Sequence, residues 1–376
     1  MDRFQASVDL DAVRDNVATL RSRAGDAAVM AVVKADGYGH GMVPCARAAV
    51  EAGATWLGVA FVEEALALRA ADIDVPVLAW LLAPGDDLGP AVAAGVDVGV
   101  SAPWALEAAA AAAADRGSPA RVHLKADTGL GRAGATAADW PELVELAAKL
   151  VVAGTVEVAG VWSHLAYADA PGHPTIARQR SAFSEALEVA TRAGLRPQVR
   201  HLANSAATLA LPDTHYDLVR PGVAVYGLSP GPEVGAAADL GLRPAMTLRA
   251  SVALVKDVDG GQGVSYAHRY TTSRRTRLAL VPLGYADGIP RAATNVGPVQ
   301  IGGRRFTVSG TVCMDQFVVD VGDLPVEAGD EVVLFGSGRD GAPTAEEWAA
   351  VTGTINYEIV TRIGSRVPRV YPGGTA

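Results

Sequence analysis

Between about residue 30 and residue 226 the chain alternates two kinds of apolar pattern. Short runs rich in branched residues, apolar almost throughout, read as strands buried on both faces. They are MAVV (30–33), WLGVAF (56–61), VPVLAW (75–80), VDVGV (96–100), RVHLK (121–125), VEVAGVWS (156–163), VRHL (199–202) and YDLV (216–219). Longer segments at 42–52, 62–70, 102–114, 138–152 and 175–193 read as helices between them. Such alternation implies a parallel sheet covered by helices, and eight units predict a closed (β/α)8 barrel. A doubly wound open sheet is the competing architecture. The run ALEAAAAAAAD (105–115) needs no function, because alanine is the best helix former and an outer helix accommodates it.

The Pro/Gly-rich stretch SPGPEVGAAADLGLRP (229–244) breaks the alternation. It sets the expected domains at 1–242, the barrel, and 243–376, a smaller and mostly β domain. In the latter, MTLRASVALVKDV, RLALVPL, RFTVSGTVCMDQFVVDV and EVVLF read as strands. One helix is expected near 344–351, behind a Thr344 cap.

Half of the 376 residues are hydrophobic, yet no stretch holds the ~18 unbroken apolar residues of a membrane span. The start, with Asp2 and Arg3, has no apolar signal region. Cys45 and Cys313 lie far apart, without metal-type spacing, so a reduced cytoplasm and no metal are expected. A net charge of −9 and the lack of a basic run argue against a nucleic-acid partner.

In a (β/α)8 barrel, chemistry sits at the C-terminal ends of the strands. Lys34 follows the first run, Lys125 and Asp127 the fifth, Ser163 and His164 the sixth, His201 and Asn204 the seventh, and Arg220 the eighth. One shared pocket explains these positions better than chance. Asn204 and Ser205, at an expected helix start, suit an anion, and Gly222 permits close approach of backbone. No G-x-G-x-x-G follows a strand and no P-loop motif is present. A reactive lysine with a phosphate cradle points to pyridoxal phosphate held as a Schiff base.

The motifs AVVKADGYGHG, LKADTGLGRAG, SHLAYAD, ANSAAT, RPGVAVYGL, GVSYAHRY, LGYADG, GTVCMDQ and NYEIVTRIGSRVPRVY occur in this order. With them the sequence resembles the alanine racemases over nearly its whole length. The resemblance implies a barrel that binds pyridoxal phosphate, a C-terminal β domain and a head-to-tail homodimer acting on alanine. It implies D-alanine as a product for peptidoglycan precursors. Lys34 resembles the Schiff-base lysine and first catalytic base. Tyr38, Ser205, Tyr357 and the backbone at Gly222 and Val223 match phosphate contacts, with Asn204 beside them. Arg132 matches the arginine that contacts the cofactor's phenolic oxygen and the substrate carboxylate. Lys125 matches a lysine often carbamylated in the family, which positions Arg132. Tyr266 resembles the second base, lent by the partner subunit. Met314, Asp315 and Tyr285 resemble residues lining substrate entry and the carboxylate site, also from the partner. His164 matches a residue that bonds the arginine at Arg220. The family's Ala-Asn-Ala-Tyr after the lysine reads Ala-Asp-Gly-Tyr here, with the Lys-to-Tyr spacing kept.

Inverting a carbon centre requires proton removal on one face and delivery on the other, and one lysine cannot reach both. Free lysine and phenol are poor bases at neutral pH. Burial with Arg132 and Arg220 nearby is expected to lower the Lys34 pKa, while a buried Tyr266 needs a neighbouring cation. Arg220 is expected to face the pyridine nitrogen, where many such enzymes place a carboxylate. A fixed cation there disfavours ring protonation and so disfavours transamination. Trp80, Trp104 and Trp162 are expected in the core, His201 in a supporting role, and Cys313 as positional. The alternatives are a racemase for serine or several amino acids, a barrel decarboxylase, which Arg220 argues against, and a non-catalytic cofactor-binding barrel, which lacks a second domain.

Overall fold

The computed structural model describes residues 3–114 and 117–372. Asp2, used in reading the N-terminus, and Asp115, the end of the alanine run, lie outside the described residues.

The chain forms two compact units. One contains Val13–Gly37 and Met42–Leu242. The other contains the described residues up to Ala12, Tyr38–Gly41, and the described residues from Arg243 onward. The expected 1–242 segment is therefore not one body. Its first strand, β1 (Phe4–Val8), pairs antiparallel with Met246–Ser251 and parallel with Arg369–Val370. A strand whose partners lie more than 200 residues away leaves no local signal of its allegiance. Tyr38–Gly41 joins the same unit: Arg369 Nε donates to the Gly39 carbonyl at 2.9 Å, and Tyr371 Oη donates to the His40 carbonyl at 3.1 Å.

In the larger unit the strands are β2 (Ala28–Val32), β3 (Trp56–Val59), β4 (Val77–Ala79), β5 (Asp97–Val100), β6 (Ala120–Lys125), β7 (Val156–Trp162), β8 (Val199–His201) and β9 (Leu218–Val219). Their order is β8-β7-β6-β5-β4-β3-β2-β9, and every neighbouring pair is parallel. All eight match runs read from the sequence. β8 and β9 meet through irregular backbone rather than a ladder. Asp217 N donates to Arg200 O at 3.1 Å, Arg220 N donates to Ala203 O at 2.9 Å, and Asn204 bridges Arg220 in parallel. The expected helices appear as Met42–Glu51, Val62–Ala70, Pro103–Ala114, Trp140–Val152 and Thr175–Arg192, with a further helix, Leu10–Ala24, that was not anticipated.

Inside this sheet Met30, Leu78 and Leu218 are fully buried against Trp56. Each such side chain stabilises the fold by about 1.5–3 kcal/mol relative to exposure. Three alternate strands carry a glycine where the interior is crowded. A Cβ on Gly58 would stand 2.7 Å from the Trp80 ring, and one on Gly99 would stand 2.8 Å from Trp80 Cα. One on Gly160 would stand 2.2 Å from His123 Nδ1. Alternate strands fill one layer of a barrel interior, so these glycines clear a single level for large rings.

The other unit has a six-stranded sheet in the order Arg304–Thr307, Pro298–Ile301, Glu331–Phe335, Met246–Ser251, β1, Arg369–Val370. A three-stranded antiparallel sheet joins Leu254–Val258, Thr276–Val281 and Phe317–Gly322. Thr344 caps the helix Ala345–Thr352. Its Oγ1 accepts from Glu347 N at 3.2 Å, and Glu347 Oε2 accepts from Thr344 N at 2.7 Å. No helix among the described residues is long and apolar enough to cross a membrane.

Candidate active site

Lys34 stands two residues beyond β2, at the head of a left-handed turn. Ala35, Asp36, Gly37 and Tyr38 all have positive φ, at 52°, 51°, 61° and 53°. For a non-glycine residue this conformation costs roughly 1–2 kcal/mol, so three such residues persist only because their surroundings hold them. Glu64 Oε1 accepts from Ala35 N at 2.7 Å, Asp36 Oδ1 accepts from Met42 N at 2.9 Å, and Gly37 N donates to Val33 O at 2.8 Å. A Cβ on Gly37 would meet the Met42 backbone at 3.3 Å, which suits glycine at that place. The sharp bend fixes where the lysine leaves the strand.

Lys34, Lys125, Arg132 and Arg220 give this end of the sheet four cationic side chains, and none of them forms an ion pair among the described residues. The nearby carboxylates serve backbone instead. Glu64 Oε2 accepts from Ala60 N and Phe61 N, and Asp127 accepts from the N–H groups of Gly129, Leu130 and Gly131. Burial, then the Arg132 charge, lowers the Lys34 pKa, with Glu64 opposing. Burial, followed by Arg220 and Arg132, pulls Lys125 down to about 8. The ammonium of Lys125 sits 4.2 Å above the Trp162 ring, and that of Lys34 lies 5.7 Å from the Trp80 ring. Such a surplus of positive charge is a demand for anions.

Arg220 is held on several sides. Nη2 donates to Ser163 O at 2.7 Å and Leu202 O at 3.2 Å, and meets His164 Nδ1 at 3.3 Å. Nη1 meets His201 Nδ1 at 3.1 Å, and the guanidinium carbon lies 4.9 Å from the Trp162 ring. Burial lowers its pKa to about 9, which leaves it charged at neutral pH. Burial, then the Arg220 charge, holds His164 well below the usual imidazole range.

Asn204 caps the short helix Ser205–Ala210, its Oδ1 accepting from Ala207 N at 3.1 Å. Ser205 Oγ accepts from Gly222 N at 2.8 Å and Ala224 N at 3.3 Å, which orients its hydroxyl. Val223 follows, buried, at the start of a one-turn helix to Tyr226.

The remaining candidates belong to the other unit. Tyr38 packs near Tyr357, with ring centroids 6.3 Å apart. Burial, then Tyr357, pushes its phenol above the usual range, so it remains a neutral donor. Tyr266, Met314 and Tyr285 are 73%, 53% and 45% exposed. Within one chain, therefore, Tyr266 is not buried. The loops carrying these residues are laced together. Thr311 Oγ1 donates to Tyr266 O at 2.8 Å, Ser265 Oγ donates to Thr311 O at 2.7 Å, and Tyr285 N donates to Cys313 O at 3.0 Å. Asp315 Oδ1 accepts from Arg366 Nη1 at 2.8 Å. Ser265, Ala267 and His268 have positive φ, so the backbone on both sides of Tyr266 is strained.

The sequence reading missed Glu64 and gave Trp162 a packing role alone. Trp162 is buried, but its ring carries two cations. Trp80 is only half-buried, and Trp104, expected in the core, is 39% exposed. It falls at the second position of an outer helix, where only part of its ring is covered. A groove lined by Tyr270, Arg274, Arg304 and Asp320 in the second unit carries no such chemistry, since Asp320 is bound by Tyr270 and Thr276.

Residues 8–230 match the family "Alanine racemase, N-terminal domain" and residues 245–371 match "Alanine racemase, C-terminal domain". An alanine racemase of Frankia casuarinae is 68% identical over 369 residues, covering 98% of this chain and 96% of that protein. The crystal structure of alanine racemase from D-cycloserine-producing Streptomyces lavendulae superposes with a TM-score of 0.98 at 59% identity, covering 99% and 98% of the two chains. The Bacillus anthracis alanine racemase with bound L-Ala-P gives 0.91 at 37% identity, covering 99% and 95%. With both domains matched and relatives this similar along the whole length, the chain belongs to the alanine racemase family of isomerases.

Proposed function

We propose that this isomerase binds pyridoxal phosphate at the barrel strand ends and interconverts L- and D-alanine by proton transfer between two bases. The observation that carries the reading is the set of cations without carboxylate partners at those strand ends. A phosphate, a phenolate and an amino-acid carboxylate are anions of the kind that this set accepts. The cofactor, when bound, withdraws electrons from the substrate and so acidifies its Cα–H.

The chain's own residues supply the rest. Lys34 would hold the cofactor covalently at rest and serve as one base. Its lowered pKa raises the fraction of neutral amine at a given pH. Arg132 binds the substrate carboxylate. As an ammonium Lys125 repels Arg132, so it would steady that residue only as a carbamate, formed when its neutral amine takes up carbon dioxide and releases a proton. The pull of burial and of the Arg220 and Arg132 charges, to a pKa of about 8, raises the neutral fraction. Ser205 and the backbone of Gly222 and Val223, with Asn204 beside them, are assigned to the phosphate, as are Tyr38 and Tyr357. His164 helps to hold Arg220.

Tyr266 is the second base, and it comes from a second copy of the chain. Three exposed side chains, Tyr266, Met314 and Tyr285, on loops tied together by hydrogen bonds, support a surface that completes a partner's site; Asp315 belongs to the same loops. Cys45 and Cys313 form no disulfide among the described residues, which fits a reducing cytoplasm, where D-alanine serves peptidoglycan precursors.

Two experiments test this reading. Borohydride reduction followed by peptide mapping is expected to fix the cofactor on Lys34, while a chiral assay shows turnover of alanine well ahead of serine. Label on another lysine, or equal turnover of serine, would overturn the assignment. Arg220→Glu places a carboxylate where a guanidinium stood. Pyruvate release from alanine is expected to rise relative to racemisation, and an unchanged ratio would remove the role given to Arg220.

A further inference from the structure

Arg220 has no carboxylate beside it, yet a carboxylate lies at the end of a chain of hydrogen bonds that starts from it. Arg220 Nη1 meets His201 Nδ1 at 3.1 Å. His201 Nε2 meets His123 Nδ1 at 2.8 Å, and His123 Nε2 meets Asp97 Oδ2 at 3.0 Å. All four side chains are at most 5% exposed. Asp97 opens β5, His123 sits within β6, His201 closes β8, and Arg220 follows β9. The chain thus climbs through the barrel from the N-terminal end of one strand to the C-terminal end of another.

Its polarity is fixed by what each group can do. A guanidinium only donates, so His201 Nδ1 must accept. The proton of His201 is then on Nε2 and is donated to His123 Nδ1. The proton of His123 is likewise on Nε2 and is donated to the Asp97 carboxylate. A second proton on either ring would set two N–H groups head to head. The rings are also pinned by packing. His201 stacks on Trp162 at 5.6 Å and 5°, and His123 stands edge-on to Trp56 at 5.4 Å. Gly160 is bare where His123 lies across it.

A structural role for Asp97 is already met without the histidines. Arg121 Nε donates to Asp97 Oδ1 at 2.8 Å from the more exposed side. His123 adds a hydrogen bond to the carboxylate, but the ion pair with Arg121 stands without it, and apolar side chains would fill the space of two buried imidazoles at less cost in desolvation. What the histidines add is direction.

We propose that Asp97 is a remote positioning residue for Arg220. Through one enforced tautomer in each of His123 and His201, it presents the guanidinium with an obligate acceptor and so sets the orientation of the cation. The protonation states agree. Burial, then the Arg220 charge, keeps His201 far below the usual imidazole range. Burial opposes the charge on Asp97, but hydrogen bonds from His123 and Arg121 outweigh it and lower its pKa. The proposal rests on the racemase reading only for its kinetic consequence.

Neutron diffraction from deuterated crystals of the full-length enzyme tests the tautomers directly. Deuterium is expected on Nε2 of His123 and of His201 and on neither Nδ1. Deuterium on either Nδ1, or on both nitrogens of one ring, would overturn the proposal whatever the enzyme catalyses. Asp97→Asn keeps the shape and removes the charge. Its kcat is expected to fall about 10- to 100-fold in both directions, as loss of an outer orienting partner commonly does. The KM for alanine should stay roughly unchanged, with more pyruvate released per racemisation. Arg121→Gln removes the other contact of the same carboxylate. It is expected to lower Tm yet keep the wild-type kcat and pyruvate ratio. If Asp97→Asn behaves as wild type in both, or Arg121→Gln reproduces its losses, Asp97 is only a barrel ion pair. If Asp97→Asn does not fold, the neutron map still decides. Failure of the racemase reading would show separately, as no chiral turnover by the wild type.

Discussion

Lys34→Ala is expected to abolish racemisation of both enantiomers and the visible absorbance of the bound cofactor. On the proposed reading two losses combine at one atom: the covalent anchor of the cofactor and one of two proton carriers. Removing a positioned general base alone typically costs about 10²–10⁴-fold, and loss of the anchor adds to that. The fold should survive, because Lys34 makes no ion pair among the described residues and the turn behind it is tied by Ala35 N, Asp36 and Gly37 N. Circular dichroism is therefore expected to change little, and Tm to fall only by what the bound cofactor contributes. A small primary amine such as methylamine, supplied at high concentration, is expected to restore a fraction of turnover, since the missing group is an amine. The variant would contradict the assignment if it kept wild-type kcat with its spectrum intact.

Tyr266→Phe is expected to separate proton exchange from inversion. Full racemisation needs both carriers, and the overall equilibrium constant ties the two directions together, so both rates fall, by about 10²–10⁴-fold. Exchange of Cα–H with solvent needs only one carrier. In heavy water one enantiomer of alanine should still take up deuterium with retention of configuration, while the other becomes inert. Mass spectrometry after chiral separation reads this directly. Equal, modest losses for both enantiomers would sink the two-base scheme. Because Tyr266 is 73% exposed within one chain, the same substitution should leave the thermal stability of the isolated chain nearly untouched.

The barrel was legible because a strand covered on both faces writes itself as an unbroken apolar run, and β3, β4 and β5 are buried at every residue. Polar residues at the ends of such runs then stand out, which is how Lys34, Lys125, His164 and Arg220 could be chosen. The family motifs added Arg132 and the exposed residues of the second unit. What stayed hidden depends on long-range geometry. Phe4–Val8 carries too weak a pattern to announce its sheet. Glu64 looks like a helix-surface acid until its oxygens are seen on Ala35, Ala60 and Phe61. His123 was a faint clue in RVHLK, a polar ring inside an apolar run. Its partners lie 26 and 78 residues away, and nothing local reports them. The orientation of Arg220 was unreadable for the same reason, although its charge was plain.

The bare positions at Gly58, Gly99 and Gly160 constrain how such a chain can drift. This sequence spreads alanine freely, to the point of an almost unbroken run through the helix Pro103–Ala114. On the exposed face of an outer helix an exchange to alanine costs little. At the three strand positions a single methyl group would strike the Trp80 or His123 side chains at under 3 Å. Compositional pressure that reshapes the shell of this molecule must therefore stop at its axis, where the smallest residue is held by the largest rings.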